Sequence, residues 1–210
     1  MTERQYERDV FVNCPLDAEY RPLFEAIVFA IHDCRFAARS ALEVTDTSEV
    51  RIEKIGNIIA SCKLGLHDIS RTELDPLTGL PRFNMALELG MFLGAKRYGV
   101  GKQKLKNCLV LDRERYRYQK FISDIAGQDI VAHGGDPAQA IRVVRDWLAD
   151  MQPATLKPRG GAAIVQRYDT FRQDLRGMCL IFGLIVEELT FNEYLLYVES
   201  WLSAQVPNPT

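Results

Sequence analysis

LPRFNMALELGMFLGAK, residues 80–96, predicts a helix that begins directly after a loop containing proline. Phe83, Leu87 and Met91 recur every four residues, which predicts one apolar stripe along this helix. Glu88 is the only acidic residue of the stretch, and it follows Asn84 by one helical turn, so both side chains should point the same way. A carboxylate is rarely buried without a partner or a task. Glu88 is therefore the first candidate for a functional residue.

Short hydrophobic segments alternate with helical patterns on both sides of this helix. Strands are predicted at residues 9–13, 36–44, 64–69, 107–112 and 129–132. Helices are predicted at residues 17–33, 50–62, 80–96, 116–126 and from Asp136-Pro137 onward, where an N-cap residue precedes a proline. Asp46 and Glu49 have the spacing of a capping pair before the second helix. This order predicts an α/β domain at residues 1–151, with a five-stranded parallel sheet flanked by helices.

The remainder of the chain has a different composition. Residues 152–161 contain proline and glycine and predict a linker, and residues 162–210 predict a helical C-terminal segment of two helices. Thr190 and Glu193 have the spacing of a capping box at the start of the second helix. Because two helices alone bury little apolar surface, we expect them to pack on the α/β domain or on a second subunit.

Composition and charge exclude several classes of protein. The 26 basic and 28 acidic residues give a formal net charge of −2, so neither nucleic acid nor a membrane surface is an expected partner. No apolar run approaches the roughly 20 residues of a membrane span, and the charged N-terminus does not resemble a signal peptide. The five cysteines are scattered without a CxxC pair, which argues against zinc and disulfides and favours the reducing cytoplasm.

Candidate functional groups follow the predicted strands. In an open parallel sheet, ligands bind beyond the carboxyl ends of the strands. The loop after the first strand, Asp68 at the end of the third, and Glu88 with Asn84 all fall in this region. The chain contains neither GxGxxG after the first strand nor GxxxxGK[ST], so a classical dinucleotide fingerprint and a P-loop are both excluded.

Two short motifs resemble known families. The strand DVFVN at residues 9–13, followed by a polar turn, resembles the first strand of TIR domains. The turn CPL at residues 14–16 resembles the Gly-Pro turn of nucleoside 2-deoxyribosyltransferases. NMALELG at residues 84–90, with GAK after it, is similar both to the catalytic-glutamate pattern of these transferases and to the Glu-Leu pair of NAD-cleaving TIR domains. The chain departs from both families at residues 82–84, where Arg-Phe-Asn replaces Ser-Gly-Thr or Trp-Cys.

The resemblance covers about residues 9–150 and implies a flavodoxin-like core in which a glutamate acts at an anomeric carbon. It implies hydrolysis of the N-glycosidic bond of a nucleotide, with NAD as substrate and no separate cofactor. A chain of this kind would serve as an immune effector in bacteria and would form a homo-oligomer, here through the C-terminal helices. Glu88 would be catalytic, and the expected substrate contacts are Asn13, Cys14, Pro15, Asp68, Arg82, Phe83 and Asn84.

The residue types fit this chemistry. Cleavage passes through an oxocarbenium-like transition state, which a facing carboxylate stabilises or attacks. A pyridinium leaving group needs no protonation, so one carboxylate suffices. Asp68 would hold ribose hydroxyls, and Asn13 and Asn84 would orient the sugar or Glu88. A ring stacked on the base would come from Phe83 or Tyr20, and Arg82 would meet a phosphate.

Each assignment has a structural alternative. Glu88 could be half-exposed or ion-paired, Asp68 a turn former, and Asn84 the helix N-cap. Phe83 could belong to the core, and Arg82 could be a solvated charge. The alternative functions are a non-catalytic nucleotide sensor or assembly module and, with weaker support, transfer of deoxyribose between bases.

Overall fold

A five-stranded parallel sheet forms the centre of the fold in the computed structural model, which describes residues 2–74, 79–81 and 83–205. The strands are β1 (Asp9–Asn13), β2 (Ala37–Arg39), β3 (Leu64–Asp68), β4 (Asn107–Asp112) and β5 (Val131–Ala132). Their order is β2-β1-β3-β4-β5, with Val10 of β1 beside Leu64 of β3 and Leu66 beside Leu109 of β4. The predicted α/β class and five-stranded parallel sheet are confirmed, and the strand order is that of the flavodoxin-like fold.

Helices cover both faces of this sheet. They are α1 (Glu3–Arg8), α2 (Arg21–Asp33), α3 (Arg51–Ser61), α4 (Asn84–Tyr98), α5 (Pro137–Asp150), α6 (Gly161–Ile181) and α7 (Phe191–Ala204). On one face, α2 and α5 pack against Val10, Val12 and Leu66 in the largest hydrophobic cluster. On the other face, α3 and α4 pack around Phe11. No described helix has both the length and the apolar character needed to cross a membrane.

Three predicted elements are shorter than expected. The second strand covers three residues rather than 36–44, and the fifth covers two. Residues 116–126 form two short 3-10 helices, Arg117–Lys120 and Ser123–Ile125, instead of one α-helix. Tyr116 precedes the first of them with a φ of 61°, a left-handed conformation that an α-helix cannot include.

The C-terminal helices pack on α2 of the α/β domain. Phe29 of α2 lies 5.2 Å from Phe171, 5.4 Å from Tyr168 and 5.9 Å from Trp201, measured between ring centroids. Thr190 and Glu193 form the predicted capping box at the start of α7. Aromatic residues of both segments thus share one continuous core. The assembly of several copies through these helices stays a prediction.

The buried face of α4 differs from the predicted apolar stripe. Phe83 is 69% exposed and Leu87 is 56% exposed, whereas Glu88 and Phe92 are buried. The reason lies in β3, where a Cβ atom at Gly65 would come within 2.7 Å of the Phe92 ring. The gap above this glycine accepts Phe92, and the rotation of the helix that places Phe92 there also turns Glu88 inward. The prediction of a core stripe containing Phe83 and Leu87 was therefore wrong.

Candidate active site

A cavity of about 410 Å³ lies at the carboxyl end of β1, beside the segments that follow β2 and β3. This is the point where the strand order reverses, and open α/β sheets bind ligands in this crevice. The volume lies within the range of ordinary small-molecule sites. The lining residues come from β1 and the loop after it, the segment after β2 together with the start of α3, the loop after β3 and the start of α4: Val12, Asn13, Cys14, Pro15, Leu16, Asp17, Glu19, Ser40, Ala41, Arg51, Arg71, Glu73, Leu74, Asn84, Met85 and Glu88.

Glu88 faces this cavity from the second turn of α4. The residue is only 7% exposed. Within residues 2–74, 79–81 and 83–205, no hydrogen-bond or ion-pair partner meets its carboxylate, whereas the lining carboxylates Asp17 and Glu19 are both paired with Arg71. Burial raises the pKa of Glu88, and the nearby positive charge of Arg51 acts in the opposite direction. Within the described residues, Glu88 is thus neither half-exposed nor ion-paired, and its catalytic role stays a prediction.

Asn13 fixes the position of the first turn of α4. Its Nδ2 atom donates hydrogen bonds to Nδ1 of His67, at 3.0 Å, and to the carbonyl oxygen of Met85, at 2.9 Å. Burial lowers the pKa of His67 to about 3, so the imidazole is neutral and its Nδ1 accepts. Asn13 also lines the cavity. It thus holds the first turn of the helix that carries Glu88, and its predicted role in orienting the sugar or Glu88 stays a prediction.

Asp68 does not line the cavity, although it ends β3. The residue is fully buried, and its carboxylate accepts hydrogen bonds from the Tyr20 hydroxyl at 2.5 Å and from the backbone N–H of Ser70 at 2.8 Å. Nε2 of His133 lies 2.9 Å from the same carboxylate, without the alignment of a hydrogen bond. Asp68 therefore stabilises the interior, which corrects its predicted role in holding ribose hydroxyls. Tyr20, bound to Asp68 and only 6% exposed, is likewise not a surface for stacking a base.

The other predicted contacts divide into two groups. Cys14, Pro15 and Asn84 line the cavity. Burial, followed by the nearby carboxylates of Asp68 and Glu88, raises the pKa of the Cys14 thiol, which disfavours a thiolate nucleophile. Phe83 occupies the N-cap position of α4 and Asn84 is the first helical residue, so the predicted alternative of Asn84 as the N-cap was wrong.

Phe83 is not part of the cavity wall, and Arg82 lies outside the described residues. Phe83 is exposed and is absent from the cavity lining, so it is neither a core residue nor a stacking platform here. The phosphate contact predicted for Arg82 lies outside the described residues.

Two arginines of the cavity were missed by the sequence reasoning. Arg71 closes the rim by donating to Asp17, at 2.9 Å, and to Glu19, at 2.7 Å, which joins the loops after β1 and β3. Arg51 opens α3 and is exposed toward the cavity. The start of a helix predicted at residue 50 was an available signal for Arg51, because helix N-termini attract anions. No local sequence pattern predicted the contacts of Arg71.

A second cavity of about 360 Å³ shares the loop Pro15, Leu16 and Asp17 with the first. Its far wall includes Phe24 of α2 and Phe191 of α7, so the C-terminal segment contributes to it. The loop after β1 therefore separates a cavity containing Glu88 from a more apolar one.

Comparison with protein-family models, with curated proteins and with solved structures finds no match to this chain. The chemistry of the cavity therefore carries the functional argument.

Proposed function

We propose that this protein hydrolyses the N-glycosidic bond of a nucleotide, with NAD as the favoured substrate. One observation carries the proposal: Glu88 is buried, lines the switch-point cavity and has no partner for its carboxylate among the described residues. Leaving a carboxylate in this state costs folding free energy, which points to a role in binding or catalysis. The resemblance of residues 9–16 and 84–96 to TIR domains and deoxyribosyltransferases supports the same reaction.

In the proposed reaction, the bond between the anomeric carbon and the base breaks, and the base leaves with the electron pair. Positive charge grows on the sugar ring, where the Glu88 carboxylate stabilises it in poorly hydrated surroundings. Water then adds to the anomeric carbon and loses one proton. Nicotinamide suits a site of this kind because a pyridinium leaves as a neutral base without an acid. Asn13 is a positioning residue, since it holds the first turn of α4 through Met85.

The remaining features of the proposal rest on less specific support. The five cysteines are free thiols, which favours the cytoplasm as the site of this reaction. A role in bacterial immunity, and assembly of several copies, are supported by the resemblance alone.

The test is the release of free base from NAD and from common nucleosides by pure protein, followed by chromatography. We expect release by the wild type and a loss of about 10²–10³-fold in Glu88→Gln. Glu43→Gln is the matched control, because Glu43 lies outside the cavity lining and pairs with Arg39. No release by either protein would favour a non-catalytic sensor, and equal release by both would show that Glu88 is not catalytic. Exchange with an added second base would instead identify a transferase.

A further inference from the structure

The N-terminus of α3 borders the cavity that contains Glu88 through its first residue, Arg51. The helix is 11 residues long, and the extended Val50 at its N-cap position provides no side-chain hydrogen bond. Its first residue, Arg51, lines the cavity. Asp46 does not cap the helix, because its carboxylate accepts from the backbone N–H of Ser48 at 2.8 Å and from the Ser48 hydroxyl at 2.7 Å. The predicted capping pair was therefore wrong, and the partial positive charge of the helix start is left for a ligand.

Arg51 adds a full positive charge at the same place. Among the described residues, no carboxylate lies within ion-pair distance of its guanidinium, in contrast to Arg71 on the opposite rim. Free N–H groups at a helix start together with a guanidinium are a common arrangement for binding phosphate.

Glu88 provides the independent sign that a ligand belongs here. It is more than nine-tenths buried, lines the same cavity as Arg51 and forms no ion pair with it. Two opposite charges that share a cavity without pairing are both satisfied by a ligand with a cationic and an anionic part. A nucleotide with a pyridinium base has this distribution, because its anomeric centre is electron-poor and its 5′ end carries phosphate.

We propose that Arg51 and the N-terminus of α3 form a phosphate subsite that selects nucleotides over nucleosides. The inference rests on the proposed function, since it takes Glu88 as the residue that faces the anomeric carbon. It specifies the substrate class further: the 5′-phosphate is required, and nicotinamide riboside is excluded.

Calorimetric titration tests the subsite separately from catalysis. The full chain with Glu88→Gln, which slows turnover, is titrated with nicotinamide mononucleotide and with nicotinamide riboside. These ligands differ only in the 5′-phosphate. We expect the mononucleotide to bind at least about tenfold more tightly, as expected for a charge-assisted hydrogen bond. Adding Arg51→Gln should remove this preference, whereas Arg97→Gln, an exposed arginine on α4 outside the cavity, should leave it intact.

The outcomes separate the subsite from the reaction. Equal affinities for the two ligands, no binding of either, or a preference that survives Arg51→Gln would overturn the subsite, even if wild-type protein releases base. A preference that depends on Arg51 in a protein that releases no base would support the subsite and refute the hydrolase. In an active protein, Arg51→Gln should raise KM for NAD while retaining cleavage.

Discussion

Glu88→Gln is expected to raise the stability of the protein while it slows base release by about 10²–10³-fold. The substitution keeps the size of the side chain and removes its charge. Glu88 is 7% exposed and has no partner among the described residues, so the wild-type fold bears the cost of desolvating a carboxylate. Glutamine has no charge to desolvate. If the Glu88 carboxylate stabilised the fold, Glu88→Gln would instead lower the free energy of unfolding.

The size of the effect follows from burial. A buried polar group without a hydrogen bond costs about 1–3 kcal/mol in protein mutational data. Because the carboxylate still reaches the cavity and glutamine is itself polar, we expect a gain of about 1 kcal/mol in the free energy of unfolding. For a chain of this length, that raises Tm by about 2–4 °C.

The gain should depend on pH in a defined direction. Burial raises the pKa of Glu88 in the folded state, so the folded protein holds this proton more tightly than the unfolded chain does. The cost of burying the ionised carboxylate is absent below the ordinary glutamate pKa and grows as the pH rises toward the raised pKa of the folded state. The difference between Glu88→Gln and wild type should therefore be small near pH 4 and largest at neutral pH.

Urea denaturation followed by circular dichroism measures this difference at each pH, beside the assay of base release. Glu43→Gln is the control, because this carboxylate accepts from Nε of Arg39 at 2.8 Å and from Nη2 at 2.5 Å. We expect Glu43→Gln to lose about 1 kcal/mol and to retain activity. If Glu88→Gln instead lost stability at neutral pH, the carboxylate would have a structural partner and the argument for a functional site would fail.

Three further results are expected. Burial lowers the pKa of Lys106 to about 8. Between pH 7 and pH 9, the free energy of unfolding of the wild type, measured by urea denaturation, should therefore rise by roughly 1.4 kcal/mol relative to that of Lys106→Met. A difference that stays constant with pH would show that this lysine is hydrated. Gly65→Ala should lower the free energy of unfolding by about 2 kcal/mol or more, because the new Cβ would lie 2.7 Å from the Phe92 ring. An unchanged Tm would contradict this packing. Thr190→Ala removes the capping box of α7 and should cost about 1 kcal/mol, with Thr170→Ala in the interior of α6 as the control.

Local patterns were sufficient to predict most of the architecture. Alternating strand and helix signals determined the parallel sheet, because each signal depends on residues only two to four positions apart. The capping box at Thr190 and the N-cap at Asp136 are equally local and were confirmed. Glu88 was identified because a single charge in an apolar run is unusual at the level of the sequence itself.

Contacts between distant segments decided the rest. The face of α4 that meets the sheet depends on Gly65 of β3, which leaves room for Phe92, and no spacing within the helix contains this information. Asp68 turns inward because Tyr20, on another element, supplies a hydroxyl to it. Arg51 faces the cavity only because the chain crosses from β2 over β1 to β3. The sequence by itself determined most of the elements and singled out the candidate carboxylate Glu88. Tertiary packing determined which side chains surround it, because helical periodicity leaves the rotation of each helix about its axis open.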